Sequence, residues 1–227
     1  MRRSPINANL YHYGGNNPVT YVDPTGRESG YTEDHEGAMG FGHAALFTQL
    51  KDGRYALFEL IGLSIDTNGI PENANFGDVY TDKWGTKTLV LSNSENSFPS
   101  KQQSEKMGKP GNSGVLLRIF GEREEMLDVL KDMGFEEAVC FSTSKKEDAI
   151  IFTAALTSGI NFRNYNIFFN SCGIYANNAL TTPGSNLHSI GNNAIVFPFS
   201  FAIPNIIGGN LLLANPSATV ENIKKRK

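Results

Sequence analysis

Residues 42–62 read GHAALFTQLKDGRYALFELIG, and this stretch decides the fold. Two apolar runs, 43–50 and 55–62, flank Asp52-Gly53. Each run has strand length, and glycine supplies the positive φ that a tight hairpin connection needs. The stretch therefore predicts a β-hairpin at the heart of a sheet.

Working outward, residues 64–112 are rich in Asn, Ser, Gly, Pro and Lys, with an apolar break at Leu89-Val90-Leu91. They predict a loop-rich insertion carrying one strand. Residues 114–120 (GVLLRIF) read as another strand. From Glu122 to Met133, Met126, Leu130 and Met133 fall on one helical face, acidic residues occupy the first turn and Gly134 follows as a stop. Ala138–Phe141 is a short apolar strand candidate. Ser144-Lys145-Lys146-Glu147 has the pattern of a capping box, followed by Ile150, Ile151, Ala154 and Ala155 at helical spacing before Gly159. Tyr165–Phe169 reads as extended and Asn170-Ser171 as a turn. Tyr175, Ala176, Ala179 and Leu180 give Cys172–Leu180 a helical apolar stripe that ends before Pro183. Strands and helices mix without regular βαβ alternation, so the expected class is α+β, an antiparallel sheet with packed helices.

Composition narrows the function. The chain has 227 residues, 40% of them hydrophobic, enough for a core without staples. A formal net charge of -3 leaves no basic footprint for nucleic acid. Lys224–Lys227 is the one basic run and reads as a solvated tail, residues 216–227. Two cysteines, Cys140 and Cys172, allow one bridge at most and form no CxxC metal knuckle. No apolar segment follows the basic start MRRSPINANL, so no Sec signal peptide is expected. Residues 194–214 form a 21-residue uncharged, largely apolar run, but Pro198, Pro204, Gly208 and Gly209 interrupt it. Core strands and packed loops are expected there, not a membrane span.

The chemistry centres on Cys172. A thiol at a helix N-terminus faces unpaired N–H groups and the positive end of the helix dipole, which favour thiolate. A nucleophile also needs a base within reach and a group to orient that base. His43 opens the hairpin beside Gly42 on a rigid strand, and simple hairpin registers return Glu59 to its side. His188 is a second base candidate, 16 residues beyond the cysteine. Cys140, inside the run AVCF, reads as core. Asp34-His35-Glu36 could be taken for a metal cluster but lacks a ligand frame and reads as solvated loop, and no cofactor is expected.

Two resemblances add to this. The order GHAALF, hairpin, helix, YNIFFNSCGIYANNAL, spanning about Gly42 to Leu180, resembles the circularly permuted papain-like group related to NlpC/P60 and LRAT proteins. That resemblance implies Cys172 as nucleophile, His43 as base and Glu59 as the third polar group, acting on an amide or ester bond. Ser171 and Glu59 depart from the residues usual in that group.

Residues 9–26, NLYHYGGNNPVTYVDPTG, resemble the closing segment of an Rhs/YD-repeat core, after which an unrelated C-terminal domain follows. This implies a remnant of the repeat core at 1–26, a polar linker at 27–38 and a payload at 39–215. It also implies a toxin secreted or delivered into a target cell, with the Rhs shell and a cognate immunity protein as partners. The family's self-cleavage uses paired DPxG motifs; this chain has Asp23-Pro24 alone, which reads as a turn. The competing functional reading is a payload without catalysis that binds a target or perturbs a membrane through its apolar C-terminal segment.

Overall fold

The structure is a computed structural model that describes residues 26–36, 42–98, 111–163, 165–166, 171–188 and 204–225. The expected hairpin is present. β2 (His43–Gln49) and β3 (Tyr55–Gly62) pair antiparallel, with Ala45 opposite Glu59. Gly53, at φ 95°, makes the turn, and its N–H donates to the Leu50 carbonyl.

Around this pair the chain builds one α+β architecture. The further strands are β1 (Glu28–Asp34), β4 (Val79–Thr81), β5 (Lys87–Val90), β6 (Ser94–Phe98), β7 (Asn112–Phe120), β8 (Glu137–Ser142) and β10 (Thr219–Asn222). They complete an antiparallel sheet in the order β10-β8-β1-β2-β3-β7-β5-β4, with β6 also paired to β7. The two-residue β9 (Tyr165–Asn166) lies parallel to β6.

Helices cover both faces, because alternate strand residues on either side are apolar. Tyr31, Ala44, Leu46, Phe58 and Val115 pack on one face against α3 (Lys145–Ile160), α4 (Cys172–Leu180) and α5 (Pro204–Ala214). On the opposite face, Ala45, Phe47, Leu57 and Phe120 meet Met126, Leu127 and Leu130 of α2 (Arg123–Asp132). A four-residue helix, α1 (Ile65–Asn68), follows β3.

Several expectations hold in detail. Ser144 and Glu147 form the reciprocal capping box at the start of α3. Gly134 leaves α2 at φ 99°. The Tyr175 hydroxyl donates to the Ala155 carbonyl at 2.7 Å, clamping α4 to α3.

Four expectations need correction. The segment read as a linker, 27–38, contains β1, held between β2 and β8 in the middle of the sheet, with Tyr31 fully buried. Its sequence, ESGYTED, shows no apolar alternation because Ser29 and Thr32 are buried as polar residues. The Ser29 hydroxyl is satisfied by Thr48 and Asp148 at 2.8 and 2.9 Å. The segment read as a basic tail carries β10, which extends the sheet beyond β8, and Ile223 behind it is fully buried.

The 64–112 insertion carries α1, β4, β5 and β6 as well as the start of β7, more structure than the single strand expected. Within 194–214, the described part is helix α5 instead of strands or loops. Its Gly208 permits a close crossing: a Cβ there would lie 2.4 Å from the Glu33 carboxylate. Of the Rhs-like segment, residues 9–25, with His12 and Asp23, lie outside the described residues.

Candidate active site

His43 is the first residue of β2, and Glu59 sits two pairs along the ladder on β3. Because Ala45 is the residue directly opposite Glu59, the histidine reaches the carboxylate along the diagonal. His43 Nε2 stands 2.8 Å from Glu59 Oε1. A carboxylate at this distance accepts, so Nε2 carries the proton and Nδ1 is left to face the thiol.

Cys172 is the first residue of α4. Ser171 precedes it as N-cap, its hydroxyl accepting from the Ile174 N–H, which fixes the first turn and the direction of the thiol. The thiol hydrogen-bonds to the His43 ring and to the backbone N–H groups of Ala44 and Gly173. Two loops of chain far apart in sequence thus supply donors to one sulfur: the start of β2 and the start of α4.

The electrostatics follow from burial and these contacts. Burial alone would raise the Cys172 pKa, but His43 and the two N–H groups outweigh it and hold the thiol below its ordinary value. Burial would likewise lower His43, yet the adjacent Cys172 and Glu59 push it up to about 10. Glu59, 1% exposed, would be raised by burial, but Arg118 and His43 bring it down to about 2. The three groups form a chain in which each favours the charged form of its neighbour: Cys172, His43, Glu59.

Arg118 is a member that sequence reading missed. It lies in the middle of the apolar strand β7 and is fully buried, its Nη1 2.6 Å from Glu59 Oε2. One charged residue inside GVLLRIF was the available signal. Tyr31 and Tyr165 also stand in the electrostatic field of Cys172. Burial and that neighbouring charge raise both phenols, which stay neutral donors. In sequence Tyr31 falls in the segment that reads as linker and Tyr165 in one that reads as a strand.

Cys172 as a residue is 3% exposed.

The other candidates lie elsewhere. The main chain of His188 exchanges two hydrogen bonds with the Asn215 side chain, at 3.1 and 2.8 Å. Cys140 is buried in the other core, and burial followed by Glu28 pushes its thiol up to about 12.

Asp34 turns back to accept from the Glu36 N–H, so the contiguous trio Asp34-His35-Glu36 does not converge. Strand alternation instead brings together Glu33, His35 and Glu137. Glu33 is 6% exposed, not part of a solvated loop. His35 has a carboxylate on each ring nitrogen, Glu33 at 3.0 Å and Glu136 at 3.2 Å; burial lowers its pKa, but the carboxylates outweigh it and favour the protonated ring. No known protein family, curated protein or solved structure matches the chain.

Proposed function

We propose that this chain is a cysteine hydrolase of the circularly permuted papain-like type, carried as the C-terminal payload of an Rhs/YD-repeat protein. The observation that carries the reading is the position of His43, hydrogen-bonded to Cys172 on one side and to Glu59 on the other. A buried thiol that merely packs has no need of a histidine, a carboxylate and two backbone donors. A nucleophile needs all of them.

The reaction runs in two halves. The Cys172 thiolate attacks the carbonyl carbon of an amide or ester, forming a C–S bond. The charge that develops on the carbonyl oxygen is met by backbone N–H groups at the start of α4. As the tetrahedral adduct collapses, the C–N or C–O bond breaks and His43 delivers its proton to the departing nitrogen or oxygen. Water then adds to the thioester, giving up a proton to His43. The C–S bond breaks, the acid product leaves, and the thiolate–imidazolium pair is restored. Glu59 keeps the ring oriented and charged throughout.

The competing membrane reading drew on the apolar C-terminal segment. Its described part, α5, is 11 residues long and buries Ile207 and Leu211 in the core. Among the described residues, no helix is long and apolar enough to cross a membrane.

Expression of residues 27–227 in bacterial cytoplasm and, separately, in periplasm tests the proposal. Wild type should be toxic in one compartment, Cys172→Ala and His43→Ala harmless in both, and His188→Ala as toxic as wild type. A Cys172→Ala variant that kills as well as wild type contradicts the catalytic reading. An immunity protein from the same source should suppress the toxicity.

A further inference from the structure

Glu59 has two oxygens with separate tasks. Oε1 meets His43, and Oε2 meets Arg118 Nη1 at 2.6 Å. Both partners are buried to within 1%. A carboxylate in such a place would protonate unless a fixed cation faced it, because an isolated buried charge is several kcal/mol uphill. Once neutral, it would lose most of its hold on an imidazolium.

Arg118 is itself fixed from behind. Its Nε donates to Asp82 Oδ2 at 2.7 Å, and its guanidinium lies 5.7 Å from the centre of the Trp84 ring. Asp82 is in turn immobilised by the turn between β4 and β5. Its Oδ1 accepts from the N–H groups of Trp84 and Thr86, and its Oδ2 from the Thr88 hydroxyl. The Trp84 indole N–H donates to the Asp132 carbonyl at the end of α2. The guanidinium therefore has little freedom to turn away from Glu59. Its planar fork divides between two carboxylates, an arrangement that lysine's single ammonium does not reproduce.

We infer that Arg118, anchored by Asp82, is a positioning residue for the proposed reaction, keeping Glu59 anionic and oriented so that His43 stays protonated beside the Cys172 thiolate. The inference rests on the hydrolase reading and explains how a glutamate serves as the third group. It also makes the β4–β5 turn part of the machinery.

The test needs no substrate. The alkylation rate of Cys172 by iodoacetamide, followed by mass spectrometry from pH 4 to 10, reports the thiolate fraction. Any opening step that is independent of pH scales the whole curve without moving its midpoint. Wild type should give a midpoint well below that of an ordinary thiol. In Arg118→Met the midpoint should move up, a one-unit rise in thiol pKa lowering the rate about tenfold at any pH below both midpoints. Arg118→Lys should recover part of the shift.

Asp82→Asn retains Arg118 and weakens its anchor. It should move the midpoint in the same direction by less, and it serves where Arg118→Met does not fold. A wild-type midpoint near that of a free thiol would sink the hydrolase reading itself. A low wild-type midpoint that stays put in the folded variants would sink only the role of Arg118.

Discussion

His43 Nε2 and Glu59 Oε1 lie 2.8 Å apart across a diagonal of the β2–β3 ladder, not across a direct pair. The relationship depends on register, since a slip of one residue would turn Glu59 to the other face of the sheet. Glu59→Gln keeps the shape and removes the charge, leaving Arg118 buried against a neutral amide. Loss of one partner from a buried ion pair costs about 3–5 kcal/mol. Urea unfolding should show a loss of that size, together with slower Cys172 alkylation at neutral pH.

The two cysteines should differ sharply in chemistry despite similar burial. Cys172 has a hydrogen-bonded thiol held below its ordinary pKa, whereas Cys140 is pushed up to about 12. Limited alkylation of the native protein at pH 7, read by peptide mapping, should modify Cys172 first. Cys140 should react only as the protein unfolds.

Acid should destabilise the fold through Glu59. Its carboxyl is held at about 2, below the ordinary value of 4.5, so the folded state binds fewer protons there than the unfolded state. The stabilisation is present above pH 4.5 and is lost as pH falls through about 2; a displacement of this size corresponds to roughly 3 kcal/mol. Urea midpoints measured between pH 2 and 6 should fall toward acid more steeply in wild type than in Glu59→Gln.

β1 and β10 yield a prediction about chain ends. A protein beginning at residue 39 lacks the strand that joins β2 to β8 and should fail to fold, whereas one beginning at residue 27 retains it. Ending the chain at residue 215 removes β10 and the buried Ile223, and should lower the melting temperature by several degrees. Circular dichroism melts of the three proteins check both statements.

The hairpin, the capping box and the Cys172 helix were legible because each carries a local signal: two apolar runs about a glycine, Ser144 with Glu147, and an apolar stripe after Ser171. His43 and Glu59 were legible because hairpin geometry is short-range. β1 was not. A central strand whose buried residues include Ser29 and Thr32 has no apolar period, and its hydrogen bonds come from Thr48 and Asp148, far along the chain. Arg118 was hidden for the opposite reason. It stands in an apolar strand where one charge looks like an outward-facing residue, and its partners Glu59 and Asp82 lie 59 and 36 residues away. The glycines of α5 suggest loop, while in the helix a Cβ at Gly208 would crowd the Glu33 carboxylate.

The proposed mechanism requires His43 and Cys172 to rest as an imidazolium–thiolate pair. Nitrogen-15 NMR of the His43 ring, followed from pH 5 to 11, measures this directly. The ring should be doubly protonated at pH 7 and titrate near 10, with the titration moving down in Cys172→Ala. A neutral His43 ring at pH 7 in the wild-type protein would contradict it.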